Sequence, residues 1–153
     1  MTLYLVRHGS AGRRNGADPH DGDRHLDDRG RRQAAAVSSH LSGKPIEVVV
    51  SSPLPRCVET VAPLADALGL VVQLDERLRE GVEVAEAWEL VERLAAGTAV
   101  LCSHGDVIPD VIGRCEARGM RMPDRPGFSK GSVWALRGWD GTGFAKGSWD
   151  KLR

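Results

Sequence analysis

The chain has no excess of charge of either sign: 21 Lys and Arg stand against 21 Asp and Glu. That balance removes the global electrostatic case for binding nucleic acid or a membrane surface. Aromatics are scarce, at 5%, and no apolar run approaches the ~20 residues of a membrane span. The three cysteines, Cys57, Cys102 and Cys115, have no CxxC spacing, so neither a zinc site nor a disulfide framework is implied. Cys102 lies in an apolar run and reads as core filler. Neither GxGxxG nor GxxxxGK[ST] follows the first apolar run, which argues against a dinucleotide or P-loop site. Repeats, low-complexity tracts and interdomain linkers are also missing. The 153 residues are therefore expected to form a single domain, 1–153, long enough to bury a core. The first apolar run begins at residue 2 or 3 and leaves no room for a signal peptide, so a reducing cytoplasm is the expected setting.

What is present is an alternation. Apolar runs at 2–6, 46–50, 70–74, 98–102 and 132–137 alternate with helical patterns at 28–42, 54–68, 83–96 and about 106–118. Runs without polar interruption suit strands buried on both faces, as in a parallel sheet. The expected fold is α/β, a three-layer α/β/α sandwich with a mostly parallel central sheet. Gly69 is expected to cap the second helix, Pro63 to bend it, and Pro109 to sit in the first turn of the fourth. The Gly- and Trp-rich stretch 132–149 suggests a hairpin packed at a sheet edge.

Polar residues follow four of the runs. Arg7 and His8 end the first, Ser51-Ser52-Pro53-Leu54-Pro55-Arg56 follows the second, Arg79-Glu80-Gly81 comes after the third, and Ser103-His104-Gly105-Asp106 follows the fourth. In a parallel sheet these tips share one edge, where ligands of α/β proteins bind. Two arginines, two histidines and a glutamate would then meet. Arginine forks clamp phosphoryl oxygens, and a neutral histidine can attack phosphorus. Each residue also has an ordinary role open to it: Arg56 as a solvated first-turn residue, Glu80 as a helix-dipole charge, Ser51, Ser52 and Ser103 as caps. Capping is the expected role of Ser52. A Ser52-His104-Asp106 hydrolase triad is disfavoured because the GxSxG elbow is missing. The loop 9–27 is long for its place and is expected to be functional. Its Arg13, Arg14 and Arg24, with His20 and His25, would attract anions, as would Arg118, Arg121, Arg125 and Lys130 in a later loop.

The ordered set of motifs resembles the histidine phosphatase superfamily, also called phosphoglycerate mutase-like. The resemblance rests on Leu5-Val6-Arg7-His8-Gly9, on Leu26 to Ala34 with Gly30 and Gln33, on Ser51 to Thr60, on Leu78-Arg79-Glu80 and on Ser103-His104-Gly105. The short length and the Asp23-Arg24-x-Leu26 segment look most like the compact phosphohistidine-phosphatase branch. Val107 to Asp110 and Lys130-Gly131-Ser132 are similar to the phosphatase domain fused to Nudix hydrolases in some actinobacteria; these 153 residues contain no Nudix domain. His25 stands where the branch usually has Pro, and Asp27 where it has Thr or Ser.

The resemblance implies a metal-independent phosphatase without cofactor. His8 would be the nucleophile, Glu80 the proton donor, and Arg7, Arg56 and His104 the phosphate ligands, with His104 protonated. The substrate would be a phosphoprotein, a nucleotide or a small phosphoester. Without a large insertion between Glu80 and residue 98 the pocket is expected to be shallow and open, which disfavours mutase chemistry. Two other readings remain at this stage: a phosphate-binding regulatory module with little turnover, and a nucleotide-directed phosphatase. Oligomeric state is open.

Overall fold

Four parallel strands and an antiparallel hairpin make one six-stranded sheet. The computed structural model describes residues 1–152. In chain order the elements are β1 (Thr2–Arg7), α1 (Asp28–Leu41), β2 (Val48–Ser51), α2 (Pro55–Leu68), β3 (Val72–Leu74), α3 (Val84–Leu94), β4 (Ala99–Ser103), α4 (Val107–Ala117), β5 (Val133–Arg137) and β6 (Lys146–Asp150). Single 3-10 turns add Asp21–Asp23 and Glu76–Leu78. The strand order is β3-β2-β4-β1-β5-β6.

The period-2 alternation of strands distributes side chains to the two faces. Leu3, Leu5, Leu101, Trp134 and Leu136 point to one side, into a core with Trp88 and Val91 of α3 and Ile108 and Ile112 of α4. Tyr4, Val6, Val49, Val100 and Cys102 point to the other, against Val37 and Leu41 of α1 and Val61 and Leu64 of α2. The sheet is covered on both faces, which is why its central strands carry no polar interruption. A fully buried residue such as Leu101 contributes about 2–5 kcal/mol against truncation to Ala.

Two features depart from the sequence reading. The run 70–74 yields only Val72–Leu74, and this strand lies at the sheet margin with Gln73 and Leu74 exposed. A marginal strand needs only one covered face, so its apolar composition overstates its burial. The run at 132–137 is a strand, but β5 pairs antiparallel with β1. Its beginning, not its end, therefore lies beside the tip of β1, and the backbone N–H of Arg7 donates to Ser132 O at 3.1 Å. The hairpin itself is as expected, with β6 antiparallel to β5 on the outer edge.

Local signals did their part. Asp27 caps α1, its side chain accepting from the Gly30 N–H at 2.8 Å, and Gly69 ends α2 in a left-handed conformation. Pro109 occupies the first turn of α4, and Pro63 sits inside α2 with its surface exposed. Gly30 is obligatory for a different reason: a Cβ there would overlap the carbonyl oxygen of Ser10. The chain leaving β1 crosses directly over the start of α1.

Candidate active site

Parallel registry brings the tips of β1, β2 and β4 level. Arg7 is opposite Ser103, and Ser51 opposite Cys102. A cleft of about 320 Å³ opens there, lined by Arg7, His8, Arg14, Arg24, Arg56, Glu80, Gly105, Asp106 and Lys130. Of the loop arginines singled out in the sequence, Arg14 and Arg24 line it; Arg13 is exposed and outside the lining. His104 is buried beneath, its ring centroid 5.4 Å from that of His8.

His8 Nδ1 lies 2.8 Å from the carbonyl oxygen of Gly9. A carbonyl only accepts, so Nδ1 carries the hydrogen and Nε2 keeps the lone pair. The Gly9 peptide is itself held: its N–H donates to Thr60 Oγ1 at 2.9 Å, and that hydroxyl donates to Arg56 O at 2.6 Å. Thr60, on α2, thus holds the peptide to which His8 is hydrogen-bonded. Burial pushes the His8 pKa from 6.5 down to about 4; the Gly9 hydrogen bond opposes this, and Arg56, Arg7 and Lys130 reinforce it. The sequence showed the cations but not the larger cause, which is desolvation.

His104 is held from both ring nitrogens. An N–H of Arg56 donates to Nδ1 at 3.4 Å, and Nε2 donates to Ser52 Oγ at 2.8 Å. Cys57 Sγ sits 3.5 Å from Nε2. Burial first, then His8 and the arginines, lower its pKa to about 3. His104 on its own is therefore neutral near pH 7. Ser52 differs from expectation. Leu54 occupies the cap position of α2, and the Ser52 hydroxyl, besides accepting from the Leu54 N–H at 3.3 Å, serves as partner to His104. Its place in a Ser-Ser-Pro run was visible; its contact with a residue 52 positions later was not.

The guanidinium groups are fixed by backbone carbonyls. Arg7 donates to Phe128 O at 2.8 Å; Phe128 stacks on Trp134, whose indole N–H donates to Gly127 O at 2.9 Å. Arg56, almost wholly buried, donates to Gly22 O at 3.3 Å. Arg7 Nε and Arg56 Nε are buried with no hydrogen-bond partner among the described residues, leaving N–H donors for an anion. Gly105 makes room: a Cβ there would come within 2.6 Å of Arg7 Cζ.

Glu80 reaches the cleft because its segment is anchored on both sides. Leu78 is buried and its carbonyl accepts from Ser103 Oγ at 2.7 Å; the Gly81 N–H donates to Asp106 at 2.7 Å. The carboxylate bridges Arg14 at 2.7 Å and Arg56 at 3.3 Å. The Arg14 contact ties loop 9–27 across the cleft mouth.

One further pattern is misleading. Gly127-Phe128-Ser129-Lys130-Gly131 fits GxSxG, but it leads into strand β5, whereas a nucleophile elbow needs a strand-to-helix turn. Among the described residues, no three His, Cys, Asp or Glu side chains gather as metal ligands, and no helix is long and apolar enough to cross a membrane.

A strand-borne Arg-His-Gly, a buried second arginine, a second histidine and a carboxylate at one sheet edge define a class. Residues 3–86 match the histidine phosphatase superfamily (branch 1), and the chain belongs to it. Among curated relatives, the 8-oxo-(d)GTP phosphatase of Mycolicibacterium smegmatis is 34% identical over 145 residues, covering 92% of this chain and 45% of the relative. A probable phosphoglycerate mutase GpmB of Yersinia pestis is 38% identical over 84 residues, covering 52% of this chain and 38% of the relative. The chain spans less than half the length of these relatives. In fold it is similar to the protein histidine phosphatase SixA complexed with tungstate (TM-score 0.76, 19% identity, 99% and 96% of the two chains). It is also similar to mycobacterial glucosyl-3-phosphoglycerate phosphatase Rv2419c complexed with VO3 (TM-score 0.73, 22% identity, 98% and 97%).

Proposed function

We propose that the chain is a metal-independent phosphatase working through a phosphohistidine at His8. The observation that carries this is the Nδ1 contact of His8 with Gly9 O, which leaves Nε2 as an unprotonated nucleophile over the pH range where phosphoesters are dianions. Substrate draws Arg14 and Arg56 away from Glu80, which then takes up a proton from solvent; the Nε2 lone pair attacks phosphorus, the ester P–O bond breaks, and Glu80 passes that proton to the departing oxygen. Water then attacks the phosphoryl group, Glu80 takes a proton from it, the N–P bond breaks, and inorganic phosphate leaves with Nε2 restored.

Arg7, Arg56 and His104 receive the phosphoryl oxygens. Charge spreads over those oxygens in the transition state, so fixed positive donors supply most of the catalysis. A dianion beside His104 favours its charged form. His104 is accordingly neutral when the site is free and takes up a proton on Nδ1 as substrate binds. Arg14 and Arg24 border the open mouth and act on substrate choice. The free thiols of all three cysteines suit a reducing compartment.

Rapid-quench trapping with a labelled phosphoester tests the mechanism. Acid-labile, base-stable label on the wild-type protein is expected; label undiminished in His8→Ala overturns it. A nucleotide-directed phosphatase is a second reading, supported by 34% identity with the 8-oxo-(d)GTP phosphatase over 92% of the chain. Competition of nucleoside diphosphates against an aryl phosphate probes it. A purely phosphate-binding module is excluded by any turnover of that aryl phosphate that His8→Ala abolishes.

A further inference from the structure

A second, larger hollow of about 560 Å³ adjoins the catalytic cleft. Lys130 lines both, and Ser10, two residues beyond His8, lies in the wall. Arg29 and Arg32 of α1, Lys130 before β5 and Lys151 after β6 meet there, from three separate stretches of chain. None of the four makes an ion pair with a described residue, and no Asp or Glu lines the hollow. Uncompensated cations in a concave site attract anions. A hydrogen-bond donor is in place too: Ser129 Oγ is buried in the same wall with no partner among the described residues.

The hollow is wired to the nucleophile's own loop. Gln33 on α1 accepts from the Ser10 N–H at 2.7 Å and donates to Lys130 O at 3.2 Å. The position of Gly131, with φ +75°, leaves room for the Gln33 side chain, which a Cβ there would meet at 2.9 Å. An anion seated in the hollow therefore lies against the segments that carry His8 and Lys130.

We propose that this hollow is a second anion subsite, and that the enzyme's preferred substrates are small organic molecules bearing two phosphate groups, one cleaved at His8 and one held by Arg29, Arg32, Lys130 and Lys151. Cations converging on one hollow from three stretches of chain suit a compact phosphate; an acidic protein surface would be better met by a flat strip along one helix. The proposal rests on the phosphatase reading for the first phosphate and adds the second.

The test compares alkanediol bisphosphates of increasing spacer length with the matching monophosphates, in the wild-type chain and in Arg29→Ala/Arg32→Ala. Both substitutions lie on the exposed face of α1 and keep a good helix former there. In the wild type, the bisphosphate is expected to exceed the monophosphate in kcat/KM by roughly ten-fold at a preferred spacer, the equivalent of 1.4 kcal/mol. In the double variant the preference vanishes, mainly through KM, while turnover of p-nitrophenyl phosphate, which has one anionic group, stays within about two-fold, because neither Arg29 nor Arg32 lines the cleft that holds His8. A bisphosphate no better than its monophosphate at every spacer overturns the subsite. So does a preference that survives the substitutions, or an acidic phosphopeptide preferred over every bisphosphate. If wild-type protein does not turn over p-nitrophenyl phosphate, the phosphatase reading fails on its own; titration calorimetry of the same pairs then decides the subsite by whether the bisphosphate binds more tightly and loses that advantage in the double variant.

Discussion

His8 and His104 face each other with ring centroids 5.4 Å apart and planes inclined at 62°, and both are neutral above about pH 4. Two imidazoles this close in a low-dielectric site disfavour each other's charge. Their burial has a consequence for folding. The ordinary histidine value is 6.5, against about 4 and about 3 here. Between those values and 6.5 the unfolded chain binds more protons than the folded one, so stability rises with pH across that window and is lost as pH falls through it. The loss amounts to several kcal/mol, on the order of 1.4 per pH unit for each group. Urea unfolding of the ligand-free protein at pH 7 and pH 5 should show it, and His104→Gln should flatten the dependence. An unchanged midpoint would contradict the neutral buried pair.

Glu80→Gln should slow alkyl phosphates by about 10²–10⁴, the usual worth of a positioned acid, and aryl phosphates much less, because an aryl oxide leaves without a proton. Steady-state rates across a leaving-group series give the answer. Equal slowing throughout would remove Glu80 from the proton-donor role.

Gly105→Ala should damage activity more than folding. The new methyl group meets the far end of the Arg7 side chain, which can move aside while the backbone stays. With Arg7 in its proposed role as a phosphate ligand, its displacement costs about 10²–10³ in rate, as for loss of a single preorganised donor. The expected readout is a large fall in kcat/KM with the melting temperature nearly kept; a large fall in melting temperature with full activity would count against this geometry.

Thr60→Val removes the hydroxyl that joins Gly9 N to Arg56 O and leaves a buried N–H unpaired, at a cost of about 1–3 kcal/mol. Activity should fall with stability, because the carbonyl that orients His8 belongs to the same glycine. Thr60→Ser keeps the hydroxyl and should restore kcat. Failure of serine to rescue would make Thr60 a packing residue only.

Much of this site was legible because the chemistry sits where apolar runs end. Arg7-His8, Ser51-Ser52, Glu80 and Ser103-His104 needed only the inference that the strands are parallel. The direction of β5 was not legible, since an apolar run has no polarity, and with it went the placement of Lys130 beside His8. Burial around His104 was also hidden; charges can be counted in a sequence, but desolvation depends on which side chains pack together. Contacts between distant positions, such as Arg14 with Glu80 and Ser52 with His104, became apparent only with the fold.

The strand directions also decide where this protein can be handled. β1 runs toward the cleft, so its first residues stand at the opposite rim of the sheet, and the turn between β5 and β6 lies at that rim as well. β6 returns to the cleft side and delivers Lys151 into the neighbouring hollow. Immobilisation or labelling ahead of Thr2, or within residues 138–145, leaves the chemistry unobstructed. A tag placed after Lys151 crowds the basic hollow and distorts any measurement of which phosphates the enzyme prefers.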